Sequence, residues 1–195
     1  MRSMESNAAL KEWAVVVEAI AWGHQLLLVR KGGIRDNGGG FDLKHREFLL
    51  YPTLEHQKED QVRPEFQDLF ARSKEAASPQ PGKVRFSLYA GVAAAVEVKE
   101  LSRLAGLEKY HIWAPSFFEE RARYKPQAPF QVLILRPYRL SSPVLHAVRP
   151  EEAGCRSWVP LPEPISLEKA EPLQDNRKFR SVLEEIHSKL SGVLE

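Results

Sequence analysis

Phe130-Gln131-Val132-Leu133-Ile134-Leu135-Arg136-Pro137-Tyr138-Arg139-Leu140 is the stretch whose reading decides the fold class. Val132, Ile134 and, beyond the polar Arg136, Tyr138 alternate against Gln131, Leu133 and Leu135, which predicts a strand. Working outward, Leu26-Leu27-Leu28-Val29 is a short apolar run bounded by turn signals and predicts a buried strand over Gln25 to Val29. Glu47 to Tyr51 predicts another, stopped by Pro52, and Lys83 to Lys99 reads as extended chain bent or bulged around Gly91. Helices are expected between and around these strands. Asn7 is a candidate N-cap for a first helix to about Trp22, with Leu10, Trp13, Val17 and Ile20 at helical spacing and Gly23 as its stop. Thr53 is expected to cap a helical turn through Lys58, and Pro64 to open a helix to about Ala71. Ser116 and Glu119 fit a capping box for a helix to Tyr124. Phe179, Val182, Ile186 and Leu190 form one stripe of a last helix from about Gln174 to Val193. Ser73 to Gly82, with two prolines and a glycine, reads as an exposed internal loop. The order of elements predicts an α+β fold. We expect a single mixed domain over 1–195, built on a curled, largely antiparallel sheet or partial barrel with the N- and C-terminal helices packed on it.

Composition sets the class of protein. At 43% apolar and 28% charged residues, the chain is that of a folded soluble protein rather than a disordered one. The polar first residues do not read as a secretory signal and no apolar run is long enough to span a membrane, so a cytoplasmic location without membrane association is expected. The single cysteine, Cys155, forbids an internal disulfide and excludes paired-cysteine zinc chemistry. A net charge of +2 is too mild to diagnose a nucleic-acid binder, so the placement of charge has to carry that argument.

Two local stretches are basic. Arg30, Lys31, Arg35, Lys44 and Arg46 face only Asp36 and Asp42 across a segment that contains the glycine-rich Gly32 to Gly40 loop. A loop of this kind can bring backbone N–H groups and cations to phosphate. Arg121, Arg123, Lys125, Arg136 and Arg139 face Glu119 and Glu120, with Trp113, Phe117, Phe118 and Tyr124 close enough in sequence for one to stack on a base. The plainer alternative is a solvated basic face over core aromatics. Glu47, His56, Glu97 and Lys99 are the residues a metal-dependent nuclease or phosphodiesterase would use, since Glu97-Val98-Lys99 supplies the carboxylate and lysine of such sites. Glu-x-Lys is also common on ordinary exposed strands. A nucleotide-hydrolase glutamate cluster, a Walker loop, a dinucleotide fingerprint and a nucleophile elbow are all missing, and Cys155 beside Arg156 has no base to activate it. No metal or cofactor is predicted.

Several phrases recur together: Leu10-Lys11-Glu12-Trp13-Ala14; Leu28-Val29-Arg30-Lys31-Gly32-Gly33-Ile34-Arg35; Glu47-Phe48-Leu49-Leu50-Tyr51-Pro52-Thr53 with Glu55-His56-Gln57; and Gly154-Cys155-Arg156-Ser157-Trp158. In this order they resemble a bacterial family known as domain of unknown function 1802. Some of its members are associated with Mrr-type restriction endonuclease domains, which implies a link to restriction-modification. The layout is also similar to domains of the pseudouridine-synthase RNA-binding fold.

The expected function is therefore a non-catalytic DNA- or RNA-binding or accessory module. Its contacts would be Arg30, Lys31, Arg35, Lys44, Arg46, Arg121, Arg123 and Lys125. The alternatives are the metal-dependent nuclease above and a protein-interaction module that exposes Trp113 and Phe117.

Overall fold

The computed structural model describes residues 5–31, 43–104, 106–154 and 156–191. Its strands are β1 (Glu5–Trp13), β2 (Leu27–Arg30), β3 (Glu47–Thr53), β4 (Lys83–Val98), β5 (Phe130–Ala147), β6 (Trp158–Ser166) and β7 (Glu171–Pro172). Its α-helices are α1 (Ala14–Ala21), α2 (Gln67–Ala77), α3 (Pro115–Arg123) and α4 (Asn176–Ser191). All seven strands join one mixed sheet in the order β2-β5-β4-β3-β1-β6, with β7 on β5, and the sheet is not closed by hydrogen bonds into a barrel. Every pairing is antiparallel except β1 with β3. The fold class is thus α+β. Among the described residues no helix is long and apolar enough to cross a membrane.

Burial on both faces explains why strands β1 and β3 do not alternate in sequence. Leu10, Phe48 and Leu50 pack into one core with the valines of α1, whereas Ala9, Leu49 and Tyr51 pack into a second with Phe86, Leu161 and Ile165. This double burial overturns the helix expected from Asn7. Residues 5–13 are strand, Asn7 lies inside it, and α1 begins at Ala14 with no side-chain cap. Its Val15, Val16 and Val17 are poor helix formers, and complete or near-complete burial holds them in place. The stop at Gly23 is as expected. Gly23 N–H donates to Ile20 O at 3.0 Å and His24 N–H to Ala19 O at 2.8 Å, a Schellman cap that uses glycine's positive φ.

Other expectations shift. Helix α2 runs to Ala77 with Ser73 and Ala77 buried, so only residues 78–82 of the expected loop lack regular structure. Thr53 ends β3 and accepts the Glu55 N–H at 3.1 Å as a turn, not as a helix cap. Helix α3 has no capping box, because Ser116 donates to Asp60 O at 2.8 Å instead. Strand β4 does bend where expected, with register shifts at Phe86/Leu88 and Val92/Ala94 on either side of Gly91. The Gly32 to Gly40 loop, Cys155 and Val193 fall outside the described residues.

The sheet curls until β2, at one end, reaches β1. Arg30 faces Gln131, Gln131 faces Glu97, Gly91 faces Glu47 and Tyr51 faces Lys11. Laid flat, those registers would separate Arg30 from Lys11 by about 19 Å across the strands and about 33 Å along them. In the fold, Arg30 Nη2 donates to Lys11 O at 2.8 Å and to Glu12 Oε2 at 2.8 Å. A side chain therefore bridges the seam that the backbone ladder leaves open, and the stagger is that of a barrel.

Helix α3 lies over this seam, positioned by the segment before it. Gln25, fully buried, donates to Leu27 O at 2.7 Å and accepts the Ile112 N–H at 3.0 Å, tying residues 110–114 to β2. Trp113 and Phe117 stack at 4.3 Å with an interplanar angle of 6°, and Trp13 meets Phe117 edge-on at 5.8 Å. His111 is buried beside them. Its Nδ1 accepts the Trp113 N–H at 3.2 Å, so the neutral ring carries its proton on Nε2. Burial, reinforced by the Arg63 charge, pushes the imidazole down to about 4.

Two outcomes follow for stability. Arg30→Ala leaves Glu12 buried with the Trp13 N–H as its one hydrogen-bond donor among the described residues, and urea denaturation should show a loss of about 3–5 kcal/mol. Replacing both partners with apolar residues of similar size should cost far less. Because the folded state keeps His111 neutral while the unfolded chain protonates near pH 6.5, its contribution is intact above that pH. It declines as pH falls toward 4, by about 3 kcal/mol in all. Denaturation at pH 7 and pH 4.5 should show a smaller difference in His111→Gln than in the parent.

Candidate functional site

The open seam forms the mouth of a polar cleft of about 570 Å³. Its floor comes from the ends of two strands, Lys11 to Trp13 on β1 and Arg30 with Lys31 at β2. One wall is α3 and its end, through Glu120, Arg121 and Tyr124. The other is the turn after β3, through Thr53, Glu55, His56 and Lys58, and Gly154, Arg156 and Ser157 complete the lining. Lys11, Arg30, Lys31, Lys58, Arg121 and Arg156 outnumber the carboxylates Glu12, Glu55 and Glu120, so the cleft carries a net positive field.

Much of that charge is committed to the fold. Glu12 accepts from Arg30 and, through Oε1, from the Trp13 N–H at 2.9 Å. Lys11, 7% exposed, donates to Gly154 O at 3.0 Å and lies 3.5 Å from Glu55. Lys31 is buried against the Phe130 ring at 4.4 Å and donates to Ala122 O at 3.3 Å, and burial lowers its pKa from the ordinary lysine value. Lys58 donates to both oxygens of Glu120, at 2.8 and 2.7 Å, and these bonds hold that carboxyl below its usual range.

Arg121 differs from these. Its guanidinium carbon sits 4.1 Å from the Phe117 ring centroid and 5.9 Å from that of Trp13. Among the described residues no hydrogen bond or ion pair holds it, and its Nε is buried without a partner. Burial pushes its pKa down to about 10, with Glu12 pulling the other way. Tyr124 at the end of α3 is 53% exposed, and Lys125 Nζ lies 5.7 Å from its ring. Lys125 and His56, two non-glycine residues with positive φ (46° and 58°), flank the cleft.

The two basic stretches converge only in part. Arg30, Lys31 and Arg121 line the cleft, and the exposed Arg123 and Lys125 border Tyr124 at its rim. Lys44 and Arg46 precede β3, about 20 Å along that strand from Thr53 at the cleft. Arg35 lies outside the described residues. Arg136 is taken up by Asn176 Oδ1 at 2.7 Å and the Phe179 ring at 4.3 Å, and Arg139 by Ala21 O at 2.9 Å. Of the candidate nuclease residues, His56 lines the cleft, but Glu47 begins β3. Glu97 lies six residues along β4 from Gly91, the partner of Glu47, about 20 Å away. Glu97 accepts from Gln131 at 3.3 Å, and Lys99 is exposed just beyond β4. Among the described residues no group of three or more His, Cys, Asp and Glu side chains is placed to hold a metal ion. Trp113 and Phe117 are core, not surface, which removes the basis for an interaction module built on them.

Lys11, Glu12 and Lys58 were missed as cleft residues. The helix expected from Asn7 to about Trp22 hid Lys11 and Glu12, because its buried face was read from Leu10, Trp13, Val17 and Ile20. Their signal was a charged pair embedded between Ala8-Ala9-Leu10 and Trp13 to Val17, a run too apolar to leave them in water.

Among solved structures, the fold resembles crystal structures of an ASCH protein from Zymomonas mobilis and two single-site variants of it. Identities are 13%, 11% and 14%, over 74% of this chain and 89%, 91% and 89% of those chains, each with a TM-score of 0.39. A likeness of that extent carries no argument about function. No curated protein sequence matches the chain. Residues 9–185 match the family described as Domain of unknown function (DUF1802), and the chain belongs to that family.

Proposed function

We propose that the protein is a non-catalytic nucleic-acid-binding module that engages phosphates at the seam cleft and along its rim. The observation that carries this reading is the meeting of Arg30 and Lys31 with Arg121, about ninety residues away in sequence, at one net-positive cleft, with the exposed Arg123 and Lys125 following in the chain. Direct contacts fall to Arg121, Arg123 and Lys125, while Arg30 and Lys31 act through their field because their donors are engaged inside the fold. The cleft carboxylates speak for binding rather than catalysis, since each is held by a cation: Glu12 by Arg30, Glu55 by Lys11 and Glu120 by Lys58. A role accessory to restriction-modification extends the reading and rests on the family association alone.

Fluorescence anisotropy with labelled DNA and RNA across a salt series tests it. Binding should weaken steeply with salt, and the log-log slope should fall by roughly 1 for each phosphate contact removed in Arg123→Ala and Lys125→Ala. Lys44→Ala and Arg46→Ala, at the far end of β3, should leave the slope unchanged. No binding to either polymer at low salt would overturn the proposal.

A further inference from the structure

We infer that the cleft receives one unpaired nucleotide of a single strand, with its phosphate on Arg121 and its base on Tyr124. The inference rests on the nucleic-acid reading and names the form of polymer that the cleft accepts.

Arg121 supplies the first observation. With its guanidinium carbon over the Phe117 ring and its Nε buried, Arg121 keeps its terminal Nη donors for a ligand. Among the described residues no carboxylate takes them, although Glu12 and Glu120 line the same cleft and are already paired to Arg30 and Lys58. A planar fork of donors at the wall of a positive cleft matches the oxygens of a phosphodiester.

Tyr124 is the second. It follows Arg121 by three residues as the C-cap of α3, and both side chains line the cleft. An aromatic ring more than half exposed at a cleft mouth, with a lysine ammonium over it, is a stacking platform joined to a phosphate contact. The positive φ of Lys125 belongs to the turn that sets this lysine beside the ring.

Size and topology supply the third. A cleft of about 570 Å³ is in the range of a site for one small ligand and is far too small for a base-paired helix. A duplex also hides the faces of its bases in its own stack, so contact with Tyr124 requires an unpaired one.

Competition anisotropy on the full chain tests this, with a short labelled single strand as probe. The competitors are a blunt duplex of the same sequence, a fully abasic strand of equal length and nucleoside 5′-monophosphates. The single strand should compete at least five-fold better than the duplex or the abasic strand. Tyr124→Ala, at an exposed position, should weaken the single strand about five- to a hundred-fold, leave the abasic strand unchanged and be rescued by Tyr124→Phe. Arg121→Lys should weaken both strands alike, because the charge stays and the fork is lost. If salt-sensitive binding persists but Tyr124→Ala matches the parent, or duplex and abasic strand compete equally well, the inference falls and the nucleic-acid reading stands. Mononucleotides that compete as well as the strand would overturn the strand as the source of the nucleotide. Failure of every polymer to bind would sink both readings.

Discussion

The Arg30–Glu12 bridge is the constraint on which the rest of the structure depends. Strands β1 and β2 lie four places apart in the sheet and are offset by about ten residues in register, yet one guanidinium spans the gap between them. A backbone ladder there would have closed the barrel and filled the space. A side-chain bridge holds the curl and leaves the seam open, and the opening becomes the cleft. Both partners are largely buried, so the pair has little competition from water, and its geometry is completed by the Lys11 carbonyl and the Trp13 N–H.

Helix α3 is the second half of that arrangement. The Trp113–Phe117 stack, the buried Gln25 and the neutral His111 fix the segment leading into it. Its last turn is thereby held over the seam, with Arg121 against two rings. The aromatics near the second basic stretch thus do two different jobs. Trp113 and Phe117 are core, and Phe117 with Trp13 forms the shelf on which Arg121 rests, while Tyr124 emerges at the rim. Positive charge in this protein is divided in the same way. Arg30, Lys31 and Arg136 hold elements together, and Arg123 and Lys125 meet solvent.

Legibility followed from what each signal depends on. The strand at 130–140, the bend near Gly91 and the stop at Gly23 depend on local residues and were readable. The strand at residues 5–13 was not. Leu10, Trp13, Val17 and Ile20 satisfy a helical period, but the first two belong to a strand buried on both faces between β3 and β6, where alternation disappears. The capping box at Ser116 failed for a related reason: the hydroxyl finds a carbonyl from a different segment, 56 residues away in sequence.

By itself, then, the sequence determined the α+β class, most strands, the family and the existence of two basic stretches, because composition and short-range periodicity encode them. Only the tertiary structure decided which cations are available. A buried ion pair such as Arg30–Glu12 joins strands with no local relationship. The separation of Lys44 and Arg46 from the cleft is a matter of strand length and direction. Sheet curl sums small twists and register shifts over several strands, so no single segment carries the information that Lys11, Arg30 and Arg121 share one cleft.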